Sequence, residues 1–189
     1  RLAATPGLRE SSIWAPALEI DELPYERVLE YEPLYDLERL PVRFESDEDA
    51  DWEDLECRFY AAYADGHVAG LTGMARTRRD PGEGPASVYH RSSYTLPEHR
   101  KKGVWTALWN HKLLEIARLG WATAETDVWV LTRDRDLRYA HRGFELESTV
   151  VHRYMGERER FFVWCASWSD VLWHAATRVS PGGHVLLHA

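Results

Sequence analysis

Apolar positions change their period part-way along this 189-residue chain. Between residues 57 and 96 they fall into short runs, the pattern of strands. Cys57 to Ala64 is rich in aromatics, Asp65-Gly66 follows, and His67 to Arg76 continues in the same style. Asp-Gly between two such runs predicts a tight hairpin. Gly70 and Gly73 inside the second run predict a bulge or a close approach of backbone. Residues 79–85 are a turn-rich loop, and Val88 to Leu96 is a third strand. From Gly103 the period becomes helical: Trp105, Trp109, Leu113, Ile116 and Ala117 form one stripe, and Gly120 is its stop. Asp127 to Thr132 reads as a short buried strand. Strand, helix and strand in that order predict parallel pairing through a right-handed crossover. Asp134 would cap a short helix running to Arg142, with Gly143 ending it. Phe144 to Met155 and Phe161 to Trp164 would add further strands.

The flanks are less regular. Pro6-Gly7 is a turn, and Ile13 to Ile20 would hold a short strand interrupted by Pro16. Leu23, Val28, Leu29, Leu34, Leu37 and Leu40 recur at near-helical spacing, punctuated by Pro24, Pro33 and Pro41. That predicts two short helices over 21–40. Residues 45–55 are an acidic loop or a helix start. The tail from Ser167 to Ala189 carries aromatics and histidines with no period to assign.

Composition narrows the class. Hydrophobic content of 44% and charged content of 29% describe a globular domain. No apolar run approaches the ~20 residues of a membrane span, so no membrane partner is expected. The chain opens on Arg1 without a signal-peptide pattern, as a domain excised from a longer protein would. Cys57 and Cys165 make neither a disulfide framework nor a metal pattern, which points to a reducing cytoplasm. His152, His174, His184 and His188 have no metal-ligand spacing, and no metal is expected.

A net charge of −8 argues against nucleic acid as a partner. Its distribution is uneven: residues 19–56 hold 16 acidic and 3 basic side chains. They are either a solvated helical face or an acidic wall that concentrates a cationic substrate. The nine tryptophans point to core burial. Trp14, Trp52, Trp129, Trp164, Trp168 and Trp173 would otherwise line an acceptor pocket or a homodimer interface.

Against this acidic background stands Leu96-Pro-Glu-His-Arg-Lys-Lys-Gly-Val-Trp-Thr106. A strand, a basic turn with a glycine, and then a helix make an anion site. The first-turn N–H groups and the dipole favour negative charge, and Arg100, Lys101 and Lys102 add full charges. Gly103 permits close approach or a positive φ.

Two segments together resemble the GNAT acetyltransferase superfamily. Arg100-Lys-Lys-Gly103-Val-Trp105 resembles the family's pyrophosphate loop, Arg/Gln-x-x-Gly-x-Gly/Ala. Tyr139-Ala-His-Arg-Gly143-Phe144 resembles its Tyr-x-x-x-Gly-Phe element. The resemblance covers residues 57–155 and implies an α/β (α+β) fold. Its mixed, largely antiparallel sheet would have a central parallel strand pair splayed around the cofactor, flanked by helices. It implies one domain: an acidic helical segment 1–56 bordering the acceptor site, a core 57–155, and a C-terminal strand and tail 156–189.

The resemblance further implies acetyl-CoA, or another acyl-CoA, as cofactor. Its pyrophosphate would rest on Arg100, Lys101, Lys102, Gly103, Val104, Trp105 and Thr106. Its pantetheine would run near Thr95, Leu96 and Thr132. Tyr139 would protonate the departing thiolate, as a phenol of pKa ~10 can.

Three positions depart from the family. Trp105 stands where Gly or Ala is usual, and would reshape the groove or turn into the core with Trp109. Thr132 replaces a frequent Asn. Tyr89 and Arg91 occupy the places where members often carry a Glu or His base. His90 lies between them with a suitable pKa, but faces the other way on a regular strand unless a bulge brings it round. His141, an acidic side chain or a water relay are further candidates for the base.

The leading expectation is an acyl-CoA-dependent N-acetyltransferase acting on the amine of a basic small molecule, with a lysine side chain or N-terminal amine as other acceptors. A second is decarboxylation or carrier-protein transfer of acyl or malonyl thioesters. A third is a module that binds acyl-CoA, or a partner, without turnover.

Overall fold

Asp65 and Gly66 both sit at positive φ, 51° and 76°, in a tight turn whose twist matches that of the strands it joins. The expected hairpin therefore forms. In the computed structural model, residues 18–31, 55–77, 87–132, 137–154 and 157–177 are described. The elements in chain order are β1 (Glu19–Leu23), α1 (Tyr25–Val28), β2 (Leu55–Ala64), β3 (His67–Thr77), β4 (Val88–Thr95), α2 (Val104–Arg118), β5 (Asp127–Thr132), α3 (Leu137–Ala140), β6 (Glu145–Tyr154), β7 (Glu157–Ser167) and α4 (Trp168–Thr177). Short 3-10 turns occupy Leu29–Tyr31 and Pro97–His99.

The strands form one sheet in the order β1-β2-β3-β4-β5-β7-β6. β4 and β5 pair in parallel, joined by α2, and the other neighbours are antiparallel. This is the mixed, largely antiparallel α+β sheet that the resemblance implied. Side chains alternate between two cores, as the strand period requires. Tyr60 and Ala62 join Met74, Val88, Val130 and the buried stripe of α2 on one face. Phe59 and Ala61 join Leu23, Val28, Leu71 and Tyr94 on the other.

Several expectations are corrected. The helical reading from residue 21 gives way to a strand, because Glu19–Leu23 completes its backbone hydrogen bonds along β2. The segment 1–56 is thus not wholly helical. Pro24 begins the short α1, its carbonyl accepting from the N–H groups of Arg27 and Val28. The strand expected over Phe161 to Trp164 is 11 residues long and lies between β5 and β6. It is an integral strand of the sheet. The unassigned tail begins as α4, with Trp168 and Val171 in the core. Trp173 is 62% exposed. Trp14, Trp52, the second helix over 32–40, the acidic stretch 45–54, Asp134, Met155, His184 and His188 lie outside the described residues.

Gly70 shows why the sheet and α2 fit so closely. A Cβ there would lie 2.8 Å from Val104 Cγ1 and 2.9 Å from the Tyr94 carbonyl oxygen. Neither a packed helix nor a strand backbone yields cheaply. Gly70→Ala is expected to destabilise the fold by about 1–3 kcal/mol, measured by urea unfolding. Unchanged stability would contradict the packing.

Candidate functional site

β4 and β5 pair only briefly. Val88 faces Val128, Tyr89 faces Trp129 and His90 faces Val130, and there the pairing ends. The cause lies on the other side of β4. Along β3 the register steps from Leu71–Tyr94 to Gly73–Arg91, so β4 carries one extra residue, a bulge that bends it. The bulge also inverts the alternation. Val88 packs on the α2 side and Tyr94 on the opposite side, although an even step along the strand would keep both on one face.

Beyond the bulge, the Leu96 N–H donates to the Ala69 carbonyl at 3.0 Å. In an antiparallel ladder this turns the N–H and C=O of Thr95 away from β3, toward the gap that β5 has left. The Thr95 carbonyl accepts from Arg100 Nε at 3.2 Å. The Thr95 hydroxyl is buried without a partner. Both backbone polar groups of Leu96 are engaged, since its carbonyl accepts from His99 N–H at 2.9 Å.

The gap leads to the basic turn. Lys101 and Gly103 adopt positive φ, 63° and 83°, and Gly103 precedes α2 without a side-chain cap. The first N–H groups of such a helix point out of its end. Arg100, Lys101, Lys102, Gly103 and Thr106 are exposed around it, while Val104 is buried. Arg100 also lies over the Tyr94 ring at 5.8 Å.

Behind the turn stands an aromatic wall. Trp105 stacks on Trp109 at 5.4 Å between ring centroids, so it turns toward the core rather than standing over the turn. Tyr139, buried, makes T-shaped contacts with Trp105 at 6.2 Å and with Trp109 at 5.9 Å between ring centroids. The Arg142 guanidinium lies 4.6 Å over Trp105 and 5.2 Å over Trp109. Tyr139 is held by a tight turn: its carbonyl accepts from Arg142 and Phe144 N–H groups. Gly143 follows at φ 86°, and a Cβ there would meet the His174 ring of α4. At the far end of β5, the Thr132 hydroxyl accepts from the Trp164 indole at 2.9 Å.

A family model described as Acetyltransferase (GNAT) family matches residues 21–144. The chain belongs to the GNAT acetyltransferase family. Membership assigns it N-acetyltransferase chemistry with acetyl-CoA as donor. No curated protein sequence matches the chain. Solved structures share its fold at low identity. Arabidopsis thaliana Naa50, bound to a bisubstrate analogue, is similar at a TM-score of 0.56 and 19% identity, covering 79% of this chain and 98% of that one. Arabidopsis thaliana NAA60 with acetyl-CoA has a TM-score of 0.56 and 15% identity over 79% and 98% of the two chains. A spermidine N-acetyltransferase chimera of Vibrio cholerae SpeG and hSSAT gives 0.56 and 15% over 82% and 98%.

In this GNAT sheet His90 and Tyr139 belong to one cluster through Trp109. His90 stacks on the Trp109 ring at 4.2 Å. Burial, and then the charges of Lys112 and Arg142, push its pKa well below the usual 6.5. Neither ring nitrogen has a partner. His90 is therefore a neutral imidazole on the α2 side, while half-buried Tyr89 points to the opposite face. His141 is exposed. Among the described residues no group of side chains is arranged to hold a metal.

Sequence reasoning missed Lys112. It falls one turn beyond Leu108 and three residues beyond Trp109, within the apolar stripe, and that displacement was its only signal. It is 1% exposed. Its Nζ donates to the Gly73 carbonyl at 3.4 Å and to Ser93 Oγ at 3.3 Å, and Ser93 Oγ meets Thr72 Oγ1 at 2.7 Å. Burial lowers its pKa from 10.5 to about 7.

The unfolded chain thus holds this proton to higher pH than the folded one, and folding is penalised most at and below neutrality. Lys112→Met is expected to stabilise the protein near pH 7 by up to about 4 kcal/mol. The gain should shrink as pH rises from 7 toward 10.5. Thermal melts across that range check the trend, and a pH-independent effect would contradict it.

Proposed function

We propose that this enzyme transfers the acetyl group of acetyl-CoA to the amine of a basic small molecule. The observation that carries the reading is the gap between β4 and β5, which opens onto the cationic turn at the start of α2. A polyanionic donor fits this place. Exposed Arg100, Lys101 and Lys102 and the helix end suit a pyrophosphate, and Gly103 allows it to approach the backbone. Val104, Trp105 and Thr106 would contribute first-turn N–H groups. Thr95 supplies a carbonyl and an unpartnered hydroxyl for the pantetheine. Leu96 offers only its side chain, and Thr132, whose hydroxyl accepts from the Trp164 indole, stands at the far end of β5.

The bound donor would supply an activated thioester. The Thr95 N–H would stabilise the oxyanion developing as an acceptor amine attacked the carbonyl carbon and the C–S bond broke. Tyr139 would give its phenolic proton to the sulfur, and the proton lost by the amine restores it through solvent. His90 suits the role of base poorly, because a buried imidazole beside two cations resists protonation.

Fold alone does not choose the acceptor; charge supports a cation. The described part of the acidic segment, with Glu19, Asp21, Glu22, Glu26 and Glu30, belongs to β1, α1 and the turn after it. Leu23, Val28 and Tyr31 from this segment pack in the same cluster as Tyr94 and Leu96. The segment therefore shares the core on the face of the sheet opposite α2, with β1 itself at the sheet edge. No helix among the described residues is long and apolar enough to cross a membrane. Two free cysteines, Cys57 and Cys165, fit a reducing compartment such as the cytoplasm.

Two variants test the reading. Gly103→Glu, which adds a negative charge at a positive-φ position, is expected to abolish acetyl-CoA binding in calorimetry. Unchanged affinity would sink the loop assignment. Tyr139→Phe is expected to lower turnover by about 10²–10⁴-fold with little change in acetyl-CoA affinity. Thiol release with an amine panel that includes spermidine measures this, and wild-type turnover would remove Tyr139 from the mechanism. Binding without thiol release across the panel would favour a non-catalytic module, and malonyl-CoA consumption without an amine would favour decarboxylation.

A further inference from the structure

We propose that Lys112 is a positioning residue for acetyl transfer: its amine spans the β4 bulge and holds the Thr95 N–H in the gap. The inference rests on the reading of Thr95 as the group that meets the thioester carbonyl.

A bulge interrupts ladder bonding and leaves polar groups to be satisfied by other means. Here one side chain from α2 reaches across it. Lys112 Nζ donates to the Gly73 carbonyl on β3 and to the Ser93 hydroxyl on β4. The Ser93–Thr72 contact closes the network. Thr72 is the β3 residue skipped at the register step, and Ser93 is on the bulged stretch of β4. The bridge therefore joins the two strands where their own ladder fails.

Register at this point decides which groups enter the gap. A slip of one residue in a strand turns every following group to the other side. Leu96 N–H would then leave Ala69 and Thr95 N–H would turn toward β3. Lys112 opposes that slip at a desolvation cost. Among the described residues no carboxylate answers its charge. A methionine would fill the same space beside Leu108, Trp109, Leu113 and Ile116 without that cost, and without the bridge.

The test uses the full chain with Lys112→Met and, as a milder variant, Ser93→Ala. Residue-resolved amide hydrogen exchange is measured on the ligand-free protein. In Lys112→Met the Tyr94 and Leu96 amides are expected to exchange about tenfold faster while Leu113 and Ile116 in α2 keep their protection. Ser93→Ala should show the same pattern at about threefold, and it decides the matter if Lys112→Met does not fold. Infrared spectra of bound acetyl-CoA, carbonyl-13C labelled, give the second readout. Wild type should lower the carbonyl stretch relative to free acetyl-CoA, and the variants should lose much of that shift.

Unchanged exchange at Tyr94 and Leu96 overturns the proposal. So does an equal loss of protection in α2, which would mean a merely structural role. If wild type binds no acetyl-CoA, the donor reading fails, and hydrogen exchange alone still decides whether Lys112 pins the bulge.

Discussion

Between Leu71 and Gly73 of β3, the partner strand β4 runs through one extra residue. In an element whose side chains and backbone groups alternate with a period of two, one residue exchanges the two sides. Before it, His90 faces α2 and β4 still pairs with β5. After it, Tyr94 faces the opposite core, the strands have parted, and Thr95 turns its polar groups into the gap. The proposed donor site follows from that inversion. The cationic turn is attached to the end of the same strand, so the bulge also sets where the start of α2 stands.

Electrostatics divides the molecule in a matching way. Exposed cations gather at the turn, and exposed carboxylates lie along β1, at the sheet edge, and on α1. Between them, the buried layer carries little compensated charge. His90 is held neutral, and Lys112 titrates near neutrality because water is excluded. Arg142 is placed over two indole rings, whose faces attract a guanidinium. In a layer of low polarity, few groups screen one another, and each hydrogen bond that fixes the bulge matters more than it would in water.

Trp105 illustrates how a departure from a family pattern is absorbed. A bulky side chain replaces the usual small one, yet the helix rotates it onto Trp109 rather than over the turn. The wall formed by Trp105, Trp109 and Tyr139 is thereby continuous with the main core. Gly143 completes the arrangement, since its positive φ and missing Cβ let α4 bring His174 against the turn that holds Tyr139.

Local chemistry was legible wherever a residue's neighbours in sequence determine its conformation. Asp65-Gly66 specifies a hairpin through backbone torsions, and the stripe on α2 follows from a 3.6-residue period. Gly103 and the Arg-Lys-Lys run mark the anion site by their own charges and flexibility, and with Tyr139-x-x-x-Gly143-Phe144 they point to the family. Contacts between distant segments decided the rest. Glu19–Leu23 became a strand because β2 offered an edge, and β7 entered beside β5 ahead of β6 for reasons no local pattern carries. The bulge in β4 shows only against the register of β3. Lys112 carries no local sign of its role, which the packing of α2 over that bulge decides. Sequence alone determined the kinds of elements and the sign of their charges, because these depend on nearest neighbours. Tertiary structure decided which backbone groups face the gap, because that depends on a one-residue register between strands joined by a distant loop.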